Sequence, residues 1–219
     1  LHCQFRIQMR QRPKMIKMKY HLLLFAISAL SLAACNNGKQ SAFTGDVAST
    51  AAPVGTIPEE SIYNLTDTFT TQDNKTIQLK DFSGKPTVMV MIFTHCDYAC
   101  PRLTADVKEL EGRLGKNADK VNFVLTSFDA ERDFPDQLAK YKKDMKLDDN
   151  FTLLHGSDDA VRTLSVLLNV QYQKNQDGNF SHSNVITVLD PSGNLIYQKE
   201  GIQANHDETL NKLNELLKG

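Results

Sequence analysis

The sequence contains no tryptophan and only four cysteines in 219 residues. Cys3 and Cys35 lie in the N-terminal segment, which leaves one local pair, Cys96 and Cys100, for the rest of the chain. A single pair excludes a disulfide framework, and a chain of this length can bury a core that needs no covalent cross-link. The pair therefore indicates chemistry rather than structural cross-linking.

Acidic residues are absent from the first 34 positions, although six of the 25 basic residues lie there. The remainder carries 19 basic and 26 acidic residues, a net charge of about −7. A chain of this sign has no evident electrostatic footprint for nucleic acid, so we expect no nucleic-acid partner. The sequence also shows no internal repeat.

The N-terminal segment has the pattern of a secretory signal. A basic stretch ends at Lys19, and residues 22–34 form an apolar run that is too short to span a bilayer. The letters LAAC that end at Cys35 resemble the lipobox of bacterial lipoproteins, in which the cysteine becomes the lipidated first residue. An uncleaved signal anchor is the alternative. We expect translation to start at Met15 or Met18.

Three parts are expected along the chain. Residues 1–34 form the signal peptide, and residues 35–58, rich in Ser, Thr, Ala, Gly and Pro, form a flexible lipidated tether. Residues 59–219 form one domain of ordinary size. We expect this domain to lie in the cell envelope, held to a membrane by its lipid and facing the periplasm or the exterior.

Strand and helix patterns alternate within the predicted domain. Apolar runs predict buried strands at 87–93, 121–126, 151–154 and 185–189, and a hairpin is predicted at 69–79 with its turn at Asp73-Asn74. Helices are predicted to begin at Pro101 and Pro135 and after Ser157, with a last helix through Leu217. The alternation predicts an α/β fold with a central mixed sheet flanked by helices, closing with a hairpin and a helix.

The sharpest local signal is the segment 93–101, with the letters FTHCDYACP, between a predicted buried strand and a helix. Cysteines four positions apart lie one helical turn apart, so both sulfur atoms can face one side. The spacing suits a disulfide or a two-sulfur metal site. The start of a helix also favours thiolate over thiol through the helix dipole and its free amide groups.

This segment resembles the Sco (SenC-type) copper chaperone family, a branch of the thioredoxin superfamily. The letters SFDAERD at 127–133 are similar to the family's Ser-x-Asp-Pro-Glu-Arg-Asp stretch. The letters SHS at 181–183 and DPSG at 190–193 are similar to its Asp-His-Ser stretch and its Asp-Pro-x-Gly turn. The similarity runs from about residue 69 to residue 217. It implies a thioredoxin-like fold with an N-terminal hairpin and an inserted strand–helix unit.

In that family two cysteines and a later histidine bind copper, and these map onto Cys96, Cys100 and His182. Thiolates are soft ligands that suit Cu(I), and an imidazole adds a ligand that Cu(II) also accepts. The family's activity is metallation of the binuclear copper centre of cytochrome c oxidase, sometimes with reduction of the recipient's cysteines. The resemblance therefore implies a metallochaperone with a redox-active Cys96–Cys100 pair and a copper-centre subunit as its partner.

Four positions near the implied ligands differ from the family's usual pattern. Asp97 and Tyr98 stand where the family usually has Pro and Asp, Ala130 replaces a Pro, and Ser181 replaces an Asp. All three implied ligands are retained, but these differences leave open the redox potential of the cysteine pair and the identity of the protein that receives the copper. A chaperone for another copper enzyme, such as nitrous oxide reductase, is an alternative.

Two enzyme classes compete with copper delivery. A thiol–disulfide oxidoreductase of the cell envelope would use the cysteine pair alone. Its generic thioredoxin-like form has Cys-x-x-Cys and a cis-proline before the facing strand, whereas residues 180–184 contain His182 and no proline. A peroxidase is less well supported, because the peroxidatic Pro-x-x-x-Thr-x-x-Cys stretch is absent around Cys96.

Other polar residues are expected to have supporting roles. His95 either tunes the acidity of Cys96 or points to water, and it stays outside the implied ligand set. Tyr98 either shields the site or is an ordinary exposed aromatic. His155 belongs to no visible constellation, and His206 is expected to cap the last helix or face solvent. Charge pairing is expected to organise one loop through Asp129, Glu131 and Arg132.

Overall fold

The structure, a computed structural model, describes residues 58–218. The predicted signal peptide, the lipidated Cys35 and the tether up to residue 57 lie outside the described residues, so they stay predictions. Within residues 58–218, no helix combines the length and the apolar character needed to cross a membrane.

Two sheets are built from nine strands in the described part of the chain. In chain order they are Thr68–Thr71 (β1), Thr76–Gln78 (β2), Thr87–Ile92 (β3), Asn122–Ser127 (β4), Phe151–Gly156 (β5), Tyr172–Lys174 (β6), Phe180–His182 (β7), Val185–Leu189 (β8) and Leu195–Glu200 (β9). Seven form one sheet in the order β2-β1-β5-β4-β3-β8-β9, and β6 and β7 pair with each other. The large sheet is mixed, because β3, β4 and β5 are mutually parallel while β1, β8 and β9 run antiparallel to their neighbours.

Helices cover this sheet. The described residues contain Ala99–Leu114 (α1), Pro135–Asp144 (α2), Asp158–Leu167 (α3) and Asp207–Leu216 (α4), with 3₁₀ turns at Ile62–Asn64, Leu79–Phe82 and Gly115–Lys120. Helix α1 contacts β3, α2 and α3 contact β5, and α4 contacts β8 and β9. The predicted α/β architecture of a central mixed sheet flanked by helices is confirmed.

Strand β3 lies inside the sheet and leads into the cysteine loop. It pairs in parallel with β4 and antiparallel with β8, and all six of its side chains are buried. A strand with neighbours on both edges and layers on both faces needs a continuous apolar run, which is the pattern that predicted it. The chain leaves β3 at Ile92, so the following residues start from a fixed point in the core.

The predicted N-terminal hairpin is also confirmed. Strands β1 and β2 pair antiparallel, with Phe69 opposite Ile77. Asn74 turns the chain with φ of 59°, a left-handed conformation that asparagine tolerates better than most residues. Strand β1 then pairs antiparallel with β5, which joins the hairpin to the main sheet.

Helix α1 begins at Ala99, two residues before its predicted start at Pro101. Pro101 still lies in the first turn, where backbone N–H groups have no acceptor within the helix, so its missing N–H removes no helical hydrogen bond. Cys100 is therefore part of the helix. The helix ends before Gly115, whose φ of 55° allows the chain to turn away.

The other local start and turn signals are confirmed. Pro135 is the first residue of α2, and the Ser157 hydroxyl caps α3 by accepting a hydrogen bond from the Ala160 N–H at 3.2 Å. The turn between β8 and β9 closes with the Gly193 N–H donating to the Asp190 carbonyl at 3.0 Å. Each of these signals depends on a few neighbouring residues, so it can be recognised in the sequence.

The hairpin of β6 and β7 was not predicted. Each strand has three residues, and none of the six is fully buried, so no apolar alternation marks them in the sequence. Tyr172 pairs with His182 across the hairpin. The rings of Tyr172 and Phe180 each lie 5.1 Å, centroid to centroid, from the ring of Phe128. These aromatic contacts join the hairpin to the core.

Candidate metal centre

Both cysteines of the 93–101 segment lie where β3 gives way to α1. Cys100 is fully buried in the first turn of the helix, while Cys96 lies in the loop and is half-buried. The Cys100 N–H donates to the Cys96 sulfur at 3.3 Å, and the Phe93 N–H donates to the Cys100 sulfur at 3.4 Å. Backbone N–H groups therefore point at both sulfur atoms, an environment that stabilises negative charge on sulfur.

His182 reaches this corner from the end of β7. Its Nε2 lies 3.5 Å from the Cys100 sulfur, although 82 positions separate the two residues in sequence. Its Nδ1 lies 3.2 Å from the Ser183 carbonyl oxygen, which can accept a hydrogen bond only from a protonated Nδ1. A proton on Nδ1 leaves Nε2 with a free lone pair directed towards the cysteines, the tautomer that a metal ligand requires.

The three residues form one cluster of ligand atoms. The sulfur atoms of Cys96 and Cys100 and a ring nitrogen of His182 all lie within 4.8 Å of one another. Two thiolates and one imidazole form a soft donor set with a borderline nitrogen, which suits copper in either of its common oxidation states. The structure thus brings together the three residues that the sequence resemblance implied as ligands.

The two thiols differ strongly in acidity. A hydrogen bond from the Cys100 thiol, assisted by the N–H groups of residues 98–100, lowers the pKa of Cys96 to about 5 against the opposing effect of its partial burial. The same hydrogen bond and deeper burial raise the pKa of the Cys100 thiol. At neutral pH, Cys96 is therefore the thiolate and Cys100 is the thiol that donates to it.

An open groove of about 430 Å³ gives access to the cluster. One wall is the cysteine loop, and the other is the end of β7 with the residues around it, including Phe180 and Asn184. Tyr98 lines this groove with 60% of its surface exposed, and the guanidinium of Arg102 lies 4.9 Å from its ring centroid. Tyr98 therefore flanks the opening without closing it over the sulfur atoms.

A second polar cluster next to the cysteine loop was missed at the level of sequence. The buried Asp133 carboxylate accepts hydrogen bonds from the Thr94 N–H at 2.7 Å and from the hydroxyls of Thr94 and Ser127. Nδ1 of His95 lies 3.4 Å from Asp133 Oδ1. The position of Asp133 at the end of the SFDAERD stretch was visible, but its contact with Thr94 and His95 depends on the parallel pairing of β3 and β4.

The predicted charge pairing in the 127–133 loop is confirmed. Arg132 pairs with Asp129, and Glu131 pairs with Lys174 of β6 at 2.6 Å. Arg132 also donates to the Gly178 carbonyl in the turn of the β6–β7 hairpin at 2.6 Å. The loop therefore holds the hairpin that carries His182 through polar contacts as well as aromatic ones.

The other two histidines among residues 58–218, His155 and His206, do not belong to the sulfur cluster. His155 is the fifth residue of β5, and its ring lies 5.1 Å from that of Phe134. His206 precedes α4, but it neither caps the helix with its side chain nor faces solvent, which corrects the expectation from sequence. It is buried, with Nε2 3.5 Å from an Asp106 carboxylate oxygen, because α4 folds back onto α1 and covers the ring.

Comparison with known proteins gives one consistent result. The family model described as SCO1/SenC matches residues 59–218. A SCO1 protein homolog of Bacillus subtilis is 27% identical over 140 residues, which are 62% of this chain and 72% of that protein.

Two solved structures show the same fold. A SCO1/SenC family lipoprotein from Bacillus anthracis is 27% identical with a TM-score of 0.64, covering 68% of this chain and 92% of that one. ScoI of Bradyrhizobium japonicum with copper bound is 26% identical with a TM-score of 0.60, covering 68% and 96%. The predicted thioredoxin-like fold is confirmed by this similarity.

Proposed function

Because the chain belongs to the SCO1/SenC family, we propose that it is a copper metallochaperone that binds the ion through Cys96, Cys100 and His182. Proteins of the Sco family bind copper and are involved in cytochrome c oxidase assembly. The recipient proposed here is the binuclear copper centre of that oxidase. The observation that carries the proposal is the convergence of two sulfur atoms and one imidazole nitrogen within 4.8 Å.

The donor set supports binding of both copper oxidation states. Cu(I) accepts low coordination numbers and soft ligands, so the sulfur atoms of Cys96 and Cys100 satisfy it. Cu(II) needs nitrogen or oxygen in addition, and Nε2 of His182 supplies it. Binding displaces the proton of Cys100, because metal-bound cysteine is a thiolate. Because binding releases this proton, the apparent affinity should rise with pH for as long as the copper-free protein holds Cys100 as a thiol.

Transfer of copper to a partner requires access, and the groove supports it. Cys96 is half-buried at the groove, whereas Cys100 lies beneath it. A recipient ligand can therefore approach the ion from the side of Cys96 while Cys100 and His182 still hold it. Few protein ligands and an open side favour exchange, whereas a structural metal site is closed by four protein ligands.

A second activity, thiol–disulfide exchange, is favoured by the difference between the two thiols. The acidic, accessible Cys96 thiolate can attack a disulfide of the recipient, and the Cys100 thiol, after losing its proton, can then attack the mixed disulfide. The balance is simple: the recipient's disulfide becomes two thiols while Cys96 and Cys100 become a disulfide. This reaction would prepare the recipient's cysteines for copper, and it needs no metal.

We also propose that a lipid on Cys35 holds the domain to a membrane in the cell envelope. The lipobox-like segment before Cys35 supports this, as does the similarity to a SCO1/SenC family lipoprotein of Bacillus anthracis. The intact mass of protein extracted from membranes should equal a chain that starts at Cys35 plus its acyl groups. A mature chain that begins at another residue and carries no lipid would contradict the anchor.

The test of copper binding compares four proteins: the wild type and the variants His182→Ala, Cys96→Ser and Cys100→Ser. We expect the wild type to bind one copper ion per chain and to show thiolate-to-copper absorption with Cu(II). His182→Ala should retain Cu(I) with weaker affinity but lose most of the Cu(II) absorption, because two thiolates remain and the nitrogen does not. Each serine variant should lose both the Cu(I) binding and the Cu(II) absorption.

His155→Ala is the matched control, since it removes a histidine that lies in β5 and outside the ligand cluster. Oxidase assembly in cells should fail with His182→Ala and persist with His155→Ala. Intact copper spectra and intact assembly in His182→Ala would contradict the chaperone mechanism and favour thiol–disulfide exchange. Loss of nitrous oxide reductase activity with normal oxidase would instead identify the alternative recipient.

A further inference from the structure

A second group of potential metal ligands lies beside the cysteine loop and shares no atom with the proposed copper site. A ring nitrogen of His95 and one carboxylate oxygen each of Asp129 and Asp133 lie within 4.8 Å of one another. His95 follows β3, and both aspartates follow β4. Because these two strands are parallel neighbours, their carboxyl ends meet at one edge of the sheet, which explains the convergence.

One carboxylate oxygen of Asp129 lacks a hydrogen-bond partner although it is buried. Asp129 has 1% of its surface exposed; its Oδ2 pairs with Arg132, whereas its Oδ1 has no hydrogen-bond partner among residues 58–218. A buried carboxylate oxygen without a partner is costly, because it has lost water and gained nothing in exchange. A cation at this point would supply the missing interaction.

The charge balance of the group favours a cation as well. Asp129 and Asp133 are both buried, and one guanidinium, that of Arg132, is paired with Asp129 alone. The hydroxyl and N–H groups that donate to Asp133 fix its orientation but carry no charge. Two oxygens offer about four lone-pair positions, so the three hydrogen bonds to Asp133 leave it able to bind one more partner.

The exposure of His95 and the types of ligand atom in the group indicate which class of ion it would bind. The His95 side chain is 43% exposed, so the group is open to solvent on that side and has room for water ligands. One imidazole nitrogen and two carboxylate oxygens, with an open position, match the donor sets of divalent zinc and its first-row neighbours. The absence of sulfur among these three residues makes the group a poor match for Cu(I).

We propose that His95, Asp129 and Asp133 form a second metal site, which binds a divalent first-row transition ion of the zinc class. The site is separate from the sulfur cluster, so it neither requires nor excludes copper bound by Cys96, Cys100 and His182. His95, which the sequence left undecided between tuning Cys96 and facing water, acquires a definite role as a ligand.

The experiment uses the full chain with Cys96→Ser, Cys100→Ser and His182→Ala combined, which removes the sulfur cluster. Titration calorimetry with Zn²⁺ should show one ion per chain. Adding His95→Ala or Asp129→Asn should weaken this binding by about tenfold or more. Co²⁺ bound to the same protein should show visible d–d bands without thiolate charge transfer, since the proposed site has no sulfur ligand.

Glu131→Gln is the matched control, because Glu131 lies in the same loop as the two aspartates but is exposed and paired with Lys174. It should leave Zn²⁺ binding unchanged. His95→Ala removes a partly exposed side chain, so it tests the site even if Asp129→Asn impairs folding. Absence of Zn²⁺ binding, or binding that His95→Ala leaves unchanged, would overturn the proposal without affecting the copper site.

Discussion

Cys96 and Cys100 follow a strand whose six side chains are all buried, whereas His182 ends a three-residue strand outside the main sheet. The cysteine corner is anchored through β3 and the first turn of α1. The β6–β7 hairpin depends on the rings of Tyr172 and Phe180 and on the polar contacts of Arg132. The two cysteines therefore follow elements fixed by the core, whereas His182 depends on a small hairpin whose side chains are at most partly buried.

This difference fits the proposed role, in which the protein binds copper and then releases it. A ligand set fixed on all sides would hold copper firmly but would resist exchange. In the proposed site the two sulfur atoms follow core elements and His182 lies on a lightly packed hairpin. The His182 ligand could therefore be exchanged without disturbing the sheet. Three comparisons of matched variants would test how far the two regions are independent.

The largest effect is expected at Phe128, which joins the regions. Its ring is buried and lies 5.4 Å from Phe93, 5.1 Å from Phe180 and 5.0 Å from His182, measured between centroids. Phe128→Ala should lower the free energy of unfolding by about 3–5 kcal/mol, because it leaves a cavity in the core. Urea denaturation measures this change.

Phe180→Ala is the matched variant on the hairpin. Its ring is only partly buried, so the loss should be about 1–2 kcal/mol. Both variants should weaken Cu(II) absorption, because the Phe128 ring packs against the His182 ring and Phe180 lies in the same strand as His182. An equal loss of stability in the two variants would show that the hairpin is as firmly packed as the core.

The second comparison uses two glycines with almost the same backbone conformation. Gly193 has φ of 83° and Gly178 has φ of 81°, so an alanine is strained at either position by about 1–2 kcal/mol. At Gly193, in the β8–β9 turn, a Cβ would also lie 2.5 Å from Ser61 Oγ and from the Tyr63 ring. At Gly178, in the hairpin turn, the nearest atom would be 3.8 Å away on Arg132.

Gly193→Ala should therefore destabilise the protein by about 1–3 kcal/mol more than Gly178→Ala, owing to overpacking. Thermal unfolding of the two variants measures the difference directly. Gly178→Ala should act mainly on the hairpin, visible as altered Cu(II) absorption with a small change in the melting temperature. Similar melting temperatures for both variants would contradict the difference in packing.

The smallest effect is expected on the acidity of Cys96 when the hairpin ligand is removed. The pKa of about 5 arises from the Cys100 thiol and the N–H groups of residues 98–100, all within the cysteine corner. In the reduced, copper-free protein, alkylation of Cys96 should be fast above pH 5 and should slow as the pH falls through about 5, because the thiolate is lost. His182→Ala should leave this midpoint nearly unchanged.

Cys100→Ala is the control for this prediction, since it removes the thiol that donates to Cys96. It should move the midpoint of Cys96 alkylation upwards, towards the value near 9 of an unperturbed thiol. A shift with His182→Ala as large as that with Cys100→Ala would show that the two regions act as one electrostatic unit. The alkylation rate, followed by mass spectrometry over a pH series, provides the measurement.

Much of the architecture follows from patterns that are local in the sequence. The apolar run of β3, the proline that starts α2, the serine that caps α3 and the turn at 190–193 each act within a few residues. The β6–β7 hairpin has no such signal, because its strands are short and neither face is fully buried. The early start of α1 was missed because a proline fits several positions of a first helical turn.

The sequence by itself determined the fold class and the position of the two cysteines at a strand-to-helix corner, and through a family resemblance it supplied the three residues proposed as copper ligands. Only the tertiary structure decided which groups meet: His182 reaches Cys100 across 82 positions, and Asp133 reaches Thr94 across 39. Helix starts and turns depend on nearby residues, so a sequence records them directly. Contacts between distant segments depend on how strands pair and rings pack, and a single sequence carries no local mark of either.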